Sequence, residues 1–155
     1  MITGVGPGLG ASLARRFEQG GYAIAINARR PDYLRSLAEE IRATGGEVLE
    51  VPADMGDRAQ VEAAFKTIRE QLGSPELLLY NAGNGAMGTI IDMTPEQFEA
   101  MWRVNGFGAF LSAKAVAARS GCLIRDSGDF SESLYPFLAP SPWPGRGSKK
   151  FWSGT

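Results

Sequence analysis

Histidine is absent from this 155-residue chain, and cysteine occurs once, at Cys122. The first absence excludes imidazole acid–base catalysis, Ser-His-Asp triads and most zinc sites, and no metal site is expected. The second excludes an internal disulfide and points to a reducing compartment. Nothing beside Cys122 marks it as a nucleophile. No apolar run approaches the roughly 20 residues that a membrane-spanning helix needs. Neither sign of charge dominates: the net charge is −1, so no bulk attraction to nucleic acid or anionic lipid is expected. Lys149-Lys150 is too short for a nucleic-acid patch. No basic segment followed by an apolar core opens the chain, so no signal peptide is expected and the expected location is cytoplasmic.

What is present is ordinary globular composition, 44% hydrophobic and 21% charged, at a length that suits one domain. The 20 glycines are not spread evenly. Gly4, Gly6, Gly8 and Gly10 alternate between an apolar start and an amphipathic run through Leu9, Leu13 and Phe17. That is a strand ending, a turn, and a helix beginning over about residues 8–19. Such a junction offers bare N–H groups and a helix N-terminus to a phosphate. Alone it is weak, because a permissive glycine loop reads the same way. Met1-Ile2-Thr3 reads as the end of a strand.

The rest of the chain alternates. Tyr22–Ala28 is a nearly continuous apolar run, as in a strand covered on both faces. Pro31 opens a helix carrying Leu34, Leu37, Ala38 and Ile41, closed by Gly45-Gly46. Residues 47–52 form a third strand. Asp57 caps a helix with Val61, Ala64, Phe65, Ile68 and Leu72, and Leu77–Tyr80 forms a fourth strand. Thr94-Pro95-Glu96-Gln97 is a capping box opening a helix to about Ala118. Phe98, Met101, Trp102, Phe107, Phe110 and Leu111 cover much of that helix, which makes it core or a subunit contact. Four strand–helix alternations predict a Rossmann-like three-layer α/β/α fold with a parallel sheet, truncated to about four or five strands. Its ligand edge is the C-terminal one, where the glycine turn, Arg29, Asp54 and Asn81 converge.

Periodicity is lost near Arg119. Gly121–Ile124 starts a fifth strand that Arg125-Asp126 breaks. From Pro136 onward four prolines and three glycines in 20 residues argue loop. The expected organisation is a truncated dinucleotide-binding domain over 1–118 and an irregular, poorly ordered tail over 119–155.

These residues resemble the short-chain dehydrogenases/reductases. Thr3-Gly4-x-x-x-Gly8-x-Gly10 is similar to that family's cofactor fingerprint. Asp54 matches its acidic residue after the third strand, which meets the adenine ring. Asn81-Ala82-Gly83 matches its motif after the fourth strand, and Asn105 the asparagine of its long helix, which helps build a proton relay. The resemblance covers roughly three quarters of the chain. It implies a cofactor site formed by Thr3, Gly4, Gly6, Gly8, Leu9, Gly10, Arg29, Arg30, Asp54, Met55, Asn81, Ala82 and Gly83. An acid after the second strand would hold the 2′-hydroxyl of NAD. Here Asn27-Ala28-Arg29-Arg30 puts guanidinium in its place, which favours NADP(H) over NAD(H), with Arg29 the leading contact and Arg30 second. Pro7 departs from the basic residue of many NADP-preferring relatives. A solvated surface edge remains the other reading of Arg29 and Arg30.

The family transfers hydride between the nicotinamide cofactor and a small carbonyl or alcohol, using a Tyr-x-x-x-Lys pair and a serine after the fifth strand. No Tyr-x-x-x-Lys occurs in this sequence. Asn105 is the one catalytic match, and Ser127 stands where the family serine would be. The break near Arg119 therefore reads as a truncation or a changed reading frame. Three readings stay open: an oxidoreductase by descent, a catalytically inactive nucleotide-binding fragment, and an interaction module pairing through helix 95–118, as in a homo-oligomer. A shortened sheet is expected to expose an apolar edge.

Overall fold

A computed structural model describes residues 1–117. The expectations for Gly121–Ile124, Ser127 and the segment 119–155 lie outside the described residues. Within them, four strand-like passages alternate with helices before the long C-terminal helix. Helix α1 spans Leu9–Gln19, strand β1 Ile24–Ile26, α2 Pro31–Ala43, β2 Val48–Glu50 and α3 Arg58–Gln71. Helix α4, Pro95–Trp102, runs through a π-helical segment, Arg103–Gly108, into α5, Ala109–Ala117.

β1 and β2 pair in parallel, Ile24 with Val48 through Ile26 with Glu50. Ile2 bridges in parallel to Ile26 on one side and Leu79 on the other. The spatial order is therefore β2, β1, the Ile2 segment, the Leu79 segment, with crossovers carried by α1, α2 and α3. The expected strand at Leu77–Tyr80 is reduced to the bridge at Leu79, and the other strands are shorter than the apolar runs that announced them. The passage at Met1–Thr3 bonds to Ala25 and Asn27 on one side and Leu77 and Leu79 on the other. It gives both neighbours only a short ladder. Pairing beyond the named strands continues at Val51 N–H to the Ile26 carbonyl and Ala53 N–H to the Ala28 carbonyl.

The period-two alternation of a strand sends successive side chains to opposite faces. Ile24 and Ile26 pack with Ala11 and Ala14 of α1 and Leu34, Leu37 and Ile41 of α2. Ala25 packs on the other face with Val61, Ala64, Phe65 and Ile68 of α3, and Leu111 of α5 lies against that cluster. Two cores on the two faces of one parallel sheet make the three-layer architecture.

Helix ends obey their sequence signals. Asp57 accepts from the Gln60 N–H. Thr94 and Gln97 close the reciprocal capping box, with Pro95 at the first helical position. Helix α4 nevertheless buries none of its residues, and Phe98, Trp102 and Phe110 each stay more than half exposed. No helix among the described residues is long and apolar enough to cross a membrane.

Candidate functional site

The C-terminal edge of the sheet is braced by polar groups behind it. Asn27, just past β1, is buried, and its side-chain amide donates to the carbonyls of Val51 at 2.8 Å and Ala53 at 3.0 Å. That fixes the separation of the two strand exits. Thr3 is also fully buried. Its hydroxyl accepts from the N–H groups of Asn81 at 3.0 Å and Ala82 at 3.1 Å. The Asn81 amide donates to the Gly4 carbonyl at 2.9 Å. Thr3 and Asn81 thus tie the glycine turn to the segment after Leu79. Thr3, one of the residues expected at the cofactor, is itself buried behind the cleft surface, and its hydroxyl helps hold that surface together.

In front of this brace lies a cleft of about 720 Å³. Of the residues the sequence singled out, Gly4, Gly6, Arg29, Arg30, Asp54, Met55, Ala82 and Gly83 line it. Gly8, Leu9 and Gly10 form the start of α1 beside it. That helix opens with no side-chain cap and no acid in its first turn. Its free N–H groups therefore carry an unopposed partial positive charge. A β-carbon at Gly6 or Gly8 would meet nothing within 4 Å, so the space over the turn is open to a ligand. Gly10 instead packs against the Val5 and Gly4 backbone, and the Leu9 side chain is exposed. A smaller cavity, about 310 Å³, opens at the opposite end of the sheet, away from these converging polar groups.

Asp54 is half-buried and accepts from the Gly56 N–H through Oδ1 at 2.8 Å, while its own N–H donates to Gln60. The carboxylate is thereby held at the cleft wall. Met55 is buried beneath it, and its sulfur accepts a long hydrogen bond from the buried Ser112 hydroxyl.

Asn105 lies in the π-helical segment. Its side chain accepts from the Asn84 N–H at 3.0 Å and donates to the Asn84 carbonyl at 2.8 Å. Both polar atoms are spent on one backbone residue. Asn105 therefore pins the loop after Gly83 to the long helix, and its side chain is absent from the cleft lining. Single π turns inside α-helices recur at functional sites.

Tyr80 donates its hydroxyl to the Val104 carbonyl in the same π segment. Burial, and in smaller part the Asp54 carboxylate, push its phenol up to about 12. Below pH 10 both folded and unfolded chains keep the proton. Between about 10 and 12 the unfolded phenol ionises first, so the folded state binds more protons and stability falls as pH rises. Tyr80→Phe is expected to be less stable than the wild type by about 1 kcal/mol at pH 9. That gap should narrow by pH 11.5 in paired urea titrations, and a gap that widens would contradict the assignment.

Arg29 and Arg30 are exposed and engage no hydrogen bond or ion pair among the described residues. Tyr33, in the first turn of α2, lines the cleft beside them and packs half-buried against the first core cluster. Behind it, Arg15 donates twice to Glu40, at 2.6 and 2.8 Å. The Arg15 guanidinium is held protonated chiefly by Glu40, with the Tyr33 phenol adding to that pull. The sequence reading passed over Tyr33, Val104 and the bracing role of Asn27. Asn27 was the detectable one, as an amide closing an otherwise apolar strand. Among the described residues no group of acids or cysteines could hold a metal ion.

The short chain dehydrogenase family profile matches residues 1–127. A short-chain dehydrogenase/reductase of Hericium erinaceus, eriH, is 36% identical over 118 residues, covering 74% of this chain and 47% of its own. The L-sorbose reductase of Gluconobacter frateurii, solved with NADPH and L-sorbose, superposes with a TM-score of 0.72 at 30% identity over 76% of this chain and 45% of its own. The alcohol dehydrogenase of Thermococcus sibiricus, solved with 5-hydroxy-NADP, gives a TM-score of 0.72 at 32% identity over 76% and 50%. The chain spans about half the length of the relatives it matches.

Proposed function

This chain belongs to the short-chain dehydrogenase family, and from that premise we propose that residues 1–117 form a nicotinamide dinucleotide site that prefers NADP(H) over NAD(H). The observation that carries the preference is the pair of guanidiniums, Arg29 and Arg30, unpartnered among the described residues and on the cleft wall where β1 exits. That exit reads Asn27-Ala28-Arg29-Arg30 and supplies no carboxylate for a ribose 2′-hydroxyl. A planar, permanently charged fork suits a phosphate there.

The remaining residues fit the same ligand. The open backbone at Gly6 and Gly8 and the uncapped start of α1 suit a pyrophosphate. Asp54 offers a carboxylate to an exocyclic amine of the base, above the apolar Met55. Ala82 and Gly83 line the cleft with no more than one methyl group between them, which leaves room for the ribose. When bound, the dinucleotide supplies the hydride. The chain's own residues bind and orient it, and Asn105 fixes the loop beside it.

For the whole protein the proposed reaction is hydride transfer between NADP(H) and a small carbonyl or alcohol. A tyrosine needs a nearby cation to give up its proton near neutrality. This sequence places no lysine four residues after any tyrosine. Dinucleotide binding, with little or no turnover, is therefore the activity expected of these 155 residues by themselves.

The test is a fluorescence titration of the chain with NADPH and with NADH. NADPH should bind at least about tenfold more tightly, one charge-assisted hydrogen bond being worth roughly that factor. The Arg29→Ala/Arg30→Ala double variant should bring the two affinities together by weakening NADPH alone. Equal affinities in the wild type would refute the preference.

A further inference from the structure

We infer that the Tyr33 phenol is a third donor to the 2′-phosphate of NADP(H), beside Arg29 and Arg30. The inference rests on the cofactor preference proposed above and assigns a new specificity residue to it. Tyr33 lines the same cleft as the two arginines, four and three residues after them in the chain. Its ring packs against the core cluster that contains Leu34 and Leu37. The hydroxyl is thus presented by a side chain whose position is already set.

The arginines are different. Both are exposed and without a partner among the described residues, so each must give up several rotatable bonds on meeting a phosphate. A tyrosine has only two, and here packing has fixed the ring before any ligand arrives. Arg15 is held by Glu40 on the neighbouring helix and does not line the cleft. Asp32 opens the same helical turn as Tyr33 but does not line the cleft. The glycine turn carries Pro7 on the cleft wall and so adds no cation of its own. A neutral hydroxyl donating to a dianionic phosphate forms one of the stronger hydrogen bonds available to a side chain.

The probes that isolate this contact are 2′,5′-ADP, which carries the extra phosphate, and 5′-AMP, which lacks it. Each is titrated calorimetrically into the full chain and into Tyr33→Phe, a variant that keeps the ring packing. The wild type should bind 2′,5′-ADP more tightly. Tyr33→Phe should weaken 2′,5′-ADP about tenfold while 5′-AMP stays within about twofold. The thermal midpoint should hold, which excludes a folding defect. If Tyr33→Phe keeps the wild-type gap between the probes, Tyr33 is no donor and the two arginines alone carry the preference. If both probes weaken equally, Tyr33 shapes the cleft and the inference fails. If the wild type itself shows no gap, the cofactor preference fails, and the inference with it.

Discussion

Gly108→Ala is expected to destabilise the chain by about 3 kcal/mol, at the upper end of what overpacking usually costs. Gly108 is buried at the junction of the π segment and α5. A β-carbon there would run into the Met55 carbonyl oxygen and stand 2.6 Å from the Tyr80 hydroxyl. Neither neighbour can yield. The first is backbone in the loop between β2 and α3, with its side chain buried in the second core cluster. The second is tied to the Val104 carbonyl on the same helix. Relief requires the long helix to lift from the sheet edge, which would expose Leu111 and strip the cover from Met55. For a chain of this size the shift in thermal midpoint should be about 10 °C. Gly106→Ala, two residues earlier, is the control. Its β-carbon would meet only the Trp102 ring, at 3.3 Å, and a helical alanine is intrinsically preferred to glycine. Its stability should stay within about 0.5 kcal/mol of wild type. Similar midpoints for the two variants would show that close approach at Gly108 does not hold the helix in place.

Gly4→Ala is expected to cost about as much and to abolish dinucleotide binding. Two penalties add. The backbone at Gly4 has φ +65°, a left-handed conformation that costs an L side chain about 1–2 kcal/mol. A β-carbon would also stand 2.5 Å from the Asn81 carbonyl oxygen and 2.6 Å from the Ala82 backbone. Those are the atoms that Thr3 and the Asn81 amide draw against the turn. The clash would push apart the two walls that form the floor of the cleft. Gly6→Ala separates the fold from the site, because its β-carbon projects into open space on the ligand side. It should unfold at the wild-type urea midpoint and yet bind NADPH more weakly. If Gly4→Ala titrates NADPH normally, the turn does not need glycine and the cradle assigned to it is wrong.

Both predictions concern glycines, but the sequence announced only one of them. Gly4 stood in a spaced pattern after an apolar start, and that pattern is short-range. Gly108 stood in a helix among aromatics with nothing local to mark it. Its constraint comes from Met55 and Tyr80, residues brought over from two other strand exits. Asn105 shows the same division. Its place in the long helix was legible, while the spending of both its polar atoms on Asn84 was not. Tyr33 reads in sequence as one more residue in the first turn of an amphipathic helix, and only the fold shows that it lines the cleft.

By itself the sequence determined the order and faces of the elements, the caps at Asp57 and Thr94, and the polar residues at the strand exits. These follow from local physics, since side-chain period and backbone capping act within a few residues. Tertiary structure decided which residues line the cleft and which stand behind it. Thr3 and Asn81, tens of residues apart, became a brace because the Ile2 and Leu79 segments lie side by side. Arg29, Asp54 and Gly83 became one cleft because parallel strands bring all their C-terminal ends to a single edge. Such distances are set by packing on both faces of the sheet, and no pattern along the chain records them.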